Sequence, residues 1–166
     1  MKTIKNKLPS LLILLFAVLG LAFMSLSFYK YTVSSSLVGG SVVTEFTGFD
    51  LAFGNEKKDV EMNTGVMVLF SLSLVLIISS LLSFVIKGTK KNKMVILALA
   101  FVIFLIALAC TILAFITVQL CKDNNFSLPG GLASRKASLG IGAIFSGVFF
   151  AISALSSLLL LVKAAK

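Results

Sequence analysis

Four apolar runs, at about 8–28, 65–86, 94–120 and 139–162, occupy most of this chain of 166 residues. Each is at or above the roughly 20 residues that an α-helix needs to cross a bilayer core of about 30 Å. Hydrophobic residues make up 58% of the chain and the mean hydropathy is +1.10. A soluble domain of that composition would have too little polar surface to face water. The expectation is one four-span membrane domain over 1–166, with outer segments at about 29–64 and 121–138 and an inner turn at 87–93. No length remains for a separate soluble domain.

Charge orients the spans. Lys2, Lys5, Lys7, Lys87, Lys90, Lys91, Lys93, Lys163 and Lys166 fall on one side with no carboxylate among them. The other side holds Lys30, Lys57, Lys58, Lys122, Arg135 and Lys136 against Glu45, Asp50, Glu56, Asp59, Glu61 and Asp123. The whole net charge of +9 therefore belongs to one face, which the positive-inside rule makes cytoplasmic. Both termini are expected inside, in the cell membrane. Topology and attraction to anionic headgroups account for these lysines, so no nucleic-acid partner is expected.

The first run also fits the basic and apolar regions of a signal peptide. About 18 apolar residues without a small-x-small cleavage site before Tyr29-Lys30-Tyr31 read better as an uncleaved span. Cys110 and Cys121 lie on one helix, about 16 Å apart, too far for a disulfide. A bridge between protomers through Cys121 is the alternative to a packing role. Without histidine or a Cys-x-x-Cys pair, no metal and no cofactor is expected.

The first outer segment is rich in strand-forming and aromatic residues. Phe28–Val33 and Val42–Thr47 read as strands around turn chemistry at Leu37–Ser41, and Gly48–Gly54 adds further aromatics. A small antiparallel hairpin or three-strand sheet over the bundle is expected between the first two spans. Lys57–Asn63 reads as a charged lead into the second span, and Pro129-Gly130-Gly131 as the turn of the second outer segment. Asn125-Phe126-Ser127 matches a glycosylation acceptor, but a lysine-rich, tryptophan-free chain reads as bacterial.

Packing signals are stronger than chemical ones. Gly140, Ala143, Gly147, Ala151 and Ala154 repeat every three or four residues in the last span, with Gly142 and Ser146 beside them. That spacing lets helix backbones approach closely. Ala100, Ala107 and Ala114 repeat at heptad spacing in the third span, and the two strips are expected to meet, or else to form an interface between subunits. No ionisable residue interrupts the spans, which disfavours a proton-coupled or charged-substrate carrier. A serine nucleophile has no histidine base, and the glycine clusters lack the lysine and helix of a phosphate loop. No enzyme is expected.

The order of a long β-prone first outer segment, a short inner turn and a shorter second outer segment resembles the claudin-like tetraspans. The tryptophan and paired cysteines of the claudin first outer segment have no counterpart here, so only the layout carries over. The chain is also similar to small four-span membrane proteins of low-GC bacteria. That likeness lies in Gly48-Phe49-Asp50-Leu51-Ala52-Phe53-Gly54 and in a last span opening Leu139-Gly140-Ile141-Gly142-Ala143-Ile144. The resemblance implies the tetraspan layout and no particular activity.

The sequence thus reads as a left-handed, antiparallel four-helix membrane bundle with a β-prone outer cap. Its expected role is non-enzymatic, acting through protein or lipid contacts as an accessory, scaffold or immunity-like protein. Phe46, Phe49, Asp50 and Phe53 are the candidate recognition surface, with membrane lipids, a membrane-protein partner or a second copy as partners. The alternative is an oligomeric channel or transporter for weakly polar solutes along Ser73, Ser80 and Ser83. A third, lipid-acting enzyme would bring Gln119, Asp123, Arg135 and Lys136 into one pocket.

Overall fold

The computed structural model describes residues 2–35, 40–58, 60–86, 92–121 and 133–165. In chain order these form α1 (Lys2–Ala22), a 3-10 turn (Phe23–Ser25), β1 (Ser27–Ser35), β2 (Gly40–Thr47) and α2 (Gly48–Phe53). A 3-10 turn (Glu56–Lys58), α3 (Thr64–Val85), α4 (Lys93–Phe115), α5 (Thr117–Leu120), β3 (Ala133–Leu139) and α6 (Ile141–Ala165) follow. The segments Lys7–Ser25, Thr64–Val85, Lys93–Phe115 and Ile141–Ala164 are long and apolar enough to cross a membrane.

The four long helices pack in a ring, with α1 and α4 each lying between α3 and α6. Ile13 and Ala17 of α1, Leu69 and Leu76 of α3, Ile103, Ala107 and Cys110 of α4, and Ala143 and Phe150 of α6 are fully buried. Phe150 fits because Gly20 on α1 has no side chain: a Cβ there would come within 2.6 Å of the ring. Much of the rest of the interior is hydroxyl. Ser73, Ser80, Ser146, Ser153 and Ser157 are buried, while Leu81, Phe101, Leu105, Ile112, Leu155 and Leu159 face outward. Small polar groups inside and large apolar groups outside reverse the partition of a water-soluble bundle.

The sheet caps one end of this ring. β1 is its centre, antiparallel to β2 and β3 in the order β2-β1-β3. The expected hairpin of the first outer segment is present, but the third strand comes from the second outer segment, 133–139, rather than from Gly48–Gly54. The cap is therefore not confined between α1 and α3; it ties the segment after α1 to the segment before α6. Gly48–Phe53 is helical because Thr47 and Asp50 form a reciprocal capping box, each side chain bonding the other's backbone N–H at 3.0 Å.

Three span boundaries also move. The first helix ends at Ala22, where the Ser25 hydroxyl donates to the Ala22 carbonyl at 2.7 Å, and Phe28 already lies in β1. The third breaks at Ile116, so Thr117–Leu120 forms its own turn. The fourth starts at Ile141, because Leu139 belongs to β3 and the Gly140 N–H donates to the Phe28 carbonyl at 2.9 Å. Lys57 and Lys58 end a 3-10 turn, 60–63 are not helical, and α3 starts at Thr64, with the Asn63 side chain accepting from the Val66 N–H at 3.1 Å. The inner turn at 87–91, Asn125–Ser127 and Pro129–Gly131 lie outside the described residues.

Candidate contact surface

The four residues singled out as a recognition surface do four different things. Phe46 is buried, its ring stacked 6.3 Å from that of Tyr29 across β2 and β1. Phe49 is half-buried, edge-on to Phe70 of α3 at 5.8 Å. Phe53 is 55% exposed and meets the same Phe70 ring at 5.0 Å. Asp50 is an organiser: it accepts from Asn55 Nδ2 at 2.6 Å and pairs with Lys58 Nζ at 2.7 Å besides capping α2. Partial burial alone would raise its carboxyl, but the bonds from Lys58, Asn55 and Thr47 together hold it well below the usual carboxylate range. Only Phe53, and the edge of Phe49, remain for an outside partner.

The sheet adds a surface that the aromatic pattern did not reveal. Tyr29, Tyr31 and Phe46 are buried near the bundle, whereas Ser41 to Glu45 of β2 are exposed on both faces. Val42 and Val43 are 68% and 54% exposed, on a strand at the sheet's edge. Across the sheet, Lys30 pairs with Glu45 at 2.6 Å and holds that carboxyl below its ordinary value. Lys58 also reaches the Glu45 carbonyl at 3.4 Å, placing a cation beside the lower half of the edge. The upper half, at Val42 and Val43, carries no charge.

Below the sheet the cap is fixed by backbone contact. A Cβ on Gly140 would run into the Ser27 and Phe28 backbone, and one on Gly142 would lie 2.6 Å from the Phe23 carbonyl oxygen. These two glycines therefore dock α6 on the α1–β1 junction. Farther along, Gly147 faces the Phe115 ring of α4, and the Ser146 hydroxyl donates to the Gly20 carbonyl of α1 at 2.7 Å. Ala143 is buried and Ala151 half-buried on α6, and Ala100, Ala107 and Ala114 are buried on α4. The α4–α6 and α1–α6 seams are the most extensive helix contacts. Sequence reasoning missed Gly20 and Asn63. The first looks like any helix glycine. The second bonds the Leu120 and Leu51 carbonyls, joining α5 and α2 to the start of α3.

The hydroxyls read as a solute path are turned to backbone. Ser73, Ser80 and Ser83 donate to the carbonyls of Phe70, Ile77 and Ser80 at 2.6–2.8 Å. Gln119 and Lys136 are exposed, while Asp123 and the Arg135 side chain lie outside the described residues. Cys121 is 1% exposed, so its place is in packing. Burial pushes its thiol up to about 12, and burial beside Cys121 and Tyr31 does the same to the Tyr29 hydroxyl. No protein-family model, curated protein or solved structure matches this chain.

Proposed function

We propose that this chain is a multi-pass protein of the cell membrane, with both termini cytoplasmic, that acts without catalysis through contacts made by its outer cap. The observation that carries this reading is the cap itself. It joins both outer segments in one sheet, commits its central polar groups to its own structure, and presents Val42 and Val43 uncharged at the strand edge. The inverted partition of small hydroxyls inside and large apolar side chains outside supports the membrane setting. The backbone-bonded serines of α3 favour contact over conduction. An extended strand of a membrane-protein partner suits the β2 edge, which pairs with no further strand among the described residues.

Purification of the tagged protein in mild detergent, with mass determination and identification of co-eluting proteins, tests the role. The expected result is a stoichiometric membrane-protein partner that is lost from the Val42→Asp/Val43→Asp variant. A partner-free homo-oligomer that conducts a solute in vesicles would replace the contact reading with the channel one.

A further inference from the structure

We infer that α2 rests in the outer interfacial layer of the bilayer, with Phe53 and the edge of Phe49 seated among lipid rather than against a protein. This inference rests on the membrane reading above and extends it to one named surface. Phe49 and Phe53 stand four residues apart, on one face of α2, while Gly48, Leu51 and Ala52 are buried against the body of the cap.

Depth decides the occupant. Both rings pack on Phe70, six residues into α3, whose Cα lies about 9 Å below the helix start and whose side chain leans back toward it. A span of 22 residues is about 33 Å long and covers the bilayer core with little to spare. The Leu51 carbonyl of α2 accepts from the Asn63 N–H just ahead of α3, so α2 lies at the mouth of the span. Phe53 reaches in from there, within the roughly 5–10 Å to which the apolar face of an interfacial helix sinks. Its exposed surface continues the outward apolar stripe of α3, where Met67, Leu74, Ile78 and Leu81 are 38–58% exposed. The next turn, Glu56–Lys58, is exposed and charged, so apolar and polar surface divide where a membrane boundary would lie. Lipid covering that stripe covers Phe53 as well. This leaves the Val42–Val43 edge as the part of the cap open to a protein.

The chain contains no tryptophan, so a single introduced indole reports alone. Phe53→Trp, Val43→Trp and Phe101→Trp would each be reconstituted in phosphatidylcholine vesicles brominated either high or low on the acyl chain. Phe101, 53% exposed and eight residues beyond the start of the 23-residue α4, lies well inside the span and reports on the membrane reading. The expected result is quenching of Phe101→Trp most by deep bromines, of Phe53→Trp most by shallow ones, and of Val43→Trp by neither. If Phe53→Trp does not fold, Phe49→Trp is read instead. Emission from position 53 typical of water, with Phe101→Trp quenched, overturns the inference and leaves the membrane reading intact. Blue-shifted but unquenched emission at 53 also overturns it, showing that protein covers the site. Loss of quenching at Phe101→Trp removes the membrane reading and the inference together.

Discussion

Gly140 and Gly147 belong to one repeat of small residues, yet the structure assigns them unequal roles. A methyl group at 140 would meet main-chain atoms of Ser27 and Phe28, which cannot rotate away. At 147 it would meet the edge of the Phe115 ring at 2.9 Å, and a side chain has some freedom to give. Gly140→Ala is therefore expected to lower thermal stability in detergent more than Gly147→Ala, with overpacking at 140 costing at least about 1–3 kcal/mol. Gly147→Leu should also unfold the chain at a lower temperature, because its partner Phe115 is within the same chain; loss of assembly alone, with an unchanged melt, would contradict this. Asp50 gives a pH signature. Its folded carboxyl titrates below the unfolded value near 3.9. The stability it contributes is therefore fully present above that value and is lost as pH falls through the lower, folded one. Thermal melts should show this acid-side loss in the parent, and Asp50→Asn should be less stable at neutral pH and lack that component of the acid loss.

At the scale of elements, Asn63 is the joint. Its side chain caps α3 and donates to the Leu120 carbonyl at 2.8 Å, while its backbone N–H donates to Leu51. Asn63→Ala should cost about 1–2 kcal/mol, read as a lower melting temperature, and should increase amide exchange at the start of α3; unchanged exchange there would count against the joint. The long helices were legible because each apolar run exceeds a bilayer's thickness. Their ends were not, because hydropathy continues through Phe28, through Ile116–Leu120 and into Leu139 while the backbone changes to strand or turn. The β1–β2 hairpin could be read from its aromatic and β-branched residues. The six-residue α2 could not be read from periodicity, although Thr47-Gly48-Phe49-Asp50 carries a capping pattern close to the usual Ser/Thr-x-x-Glu form. β3 was missed because Ala-Ser-Arg-Lys-Ala-Ser-Leu has little strand propensity. It forms a strand through its pairing with β1.

For the whole molecule, the ring of four helices and the sheet at one end divide the labour. The helices bury alanines, glycines and backbone-bonded serines beside Leu69, Leu76, Ile103 and Phe150 so that they can approach closely, and leave Leu81, Phe101, Leu105, Leu155 and Leu159 outward. The sheet then ties 27–47 and 133–139 together over one end, where β1 pairs with a strand about a hundred residues later in the chain. Of the candidate surface, the aromatic cluster was visible in sequence, but its partition was not: burial of Phe46 and exposure of Phe53 depend on where Tyr29 and Phe70 stand. Topology is the claim on which the rest depends. Both native thiols are buried, Cys110 at 0% and Cys121 at 1% exposed, so an introduced surface cysteine can be labelled against a quiet background. The measurement is reaction of Val43→Cys and Lys163→Cys with a membrane-impermeant maleimide on intact cells and after permeabilisation. The expected result is labelling of Val43→Cys in intact cells and of Lys163→Cys only after permeabilisation. The reverse pattern, or labelling of both positions in intact cells, would contradict an outer cap above a four-span bundle with its C-terminus inside.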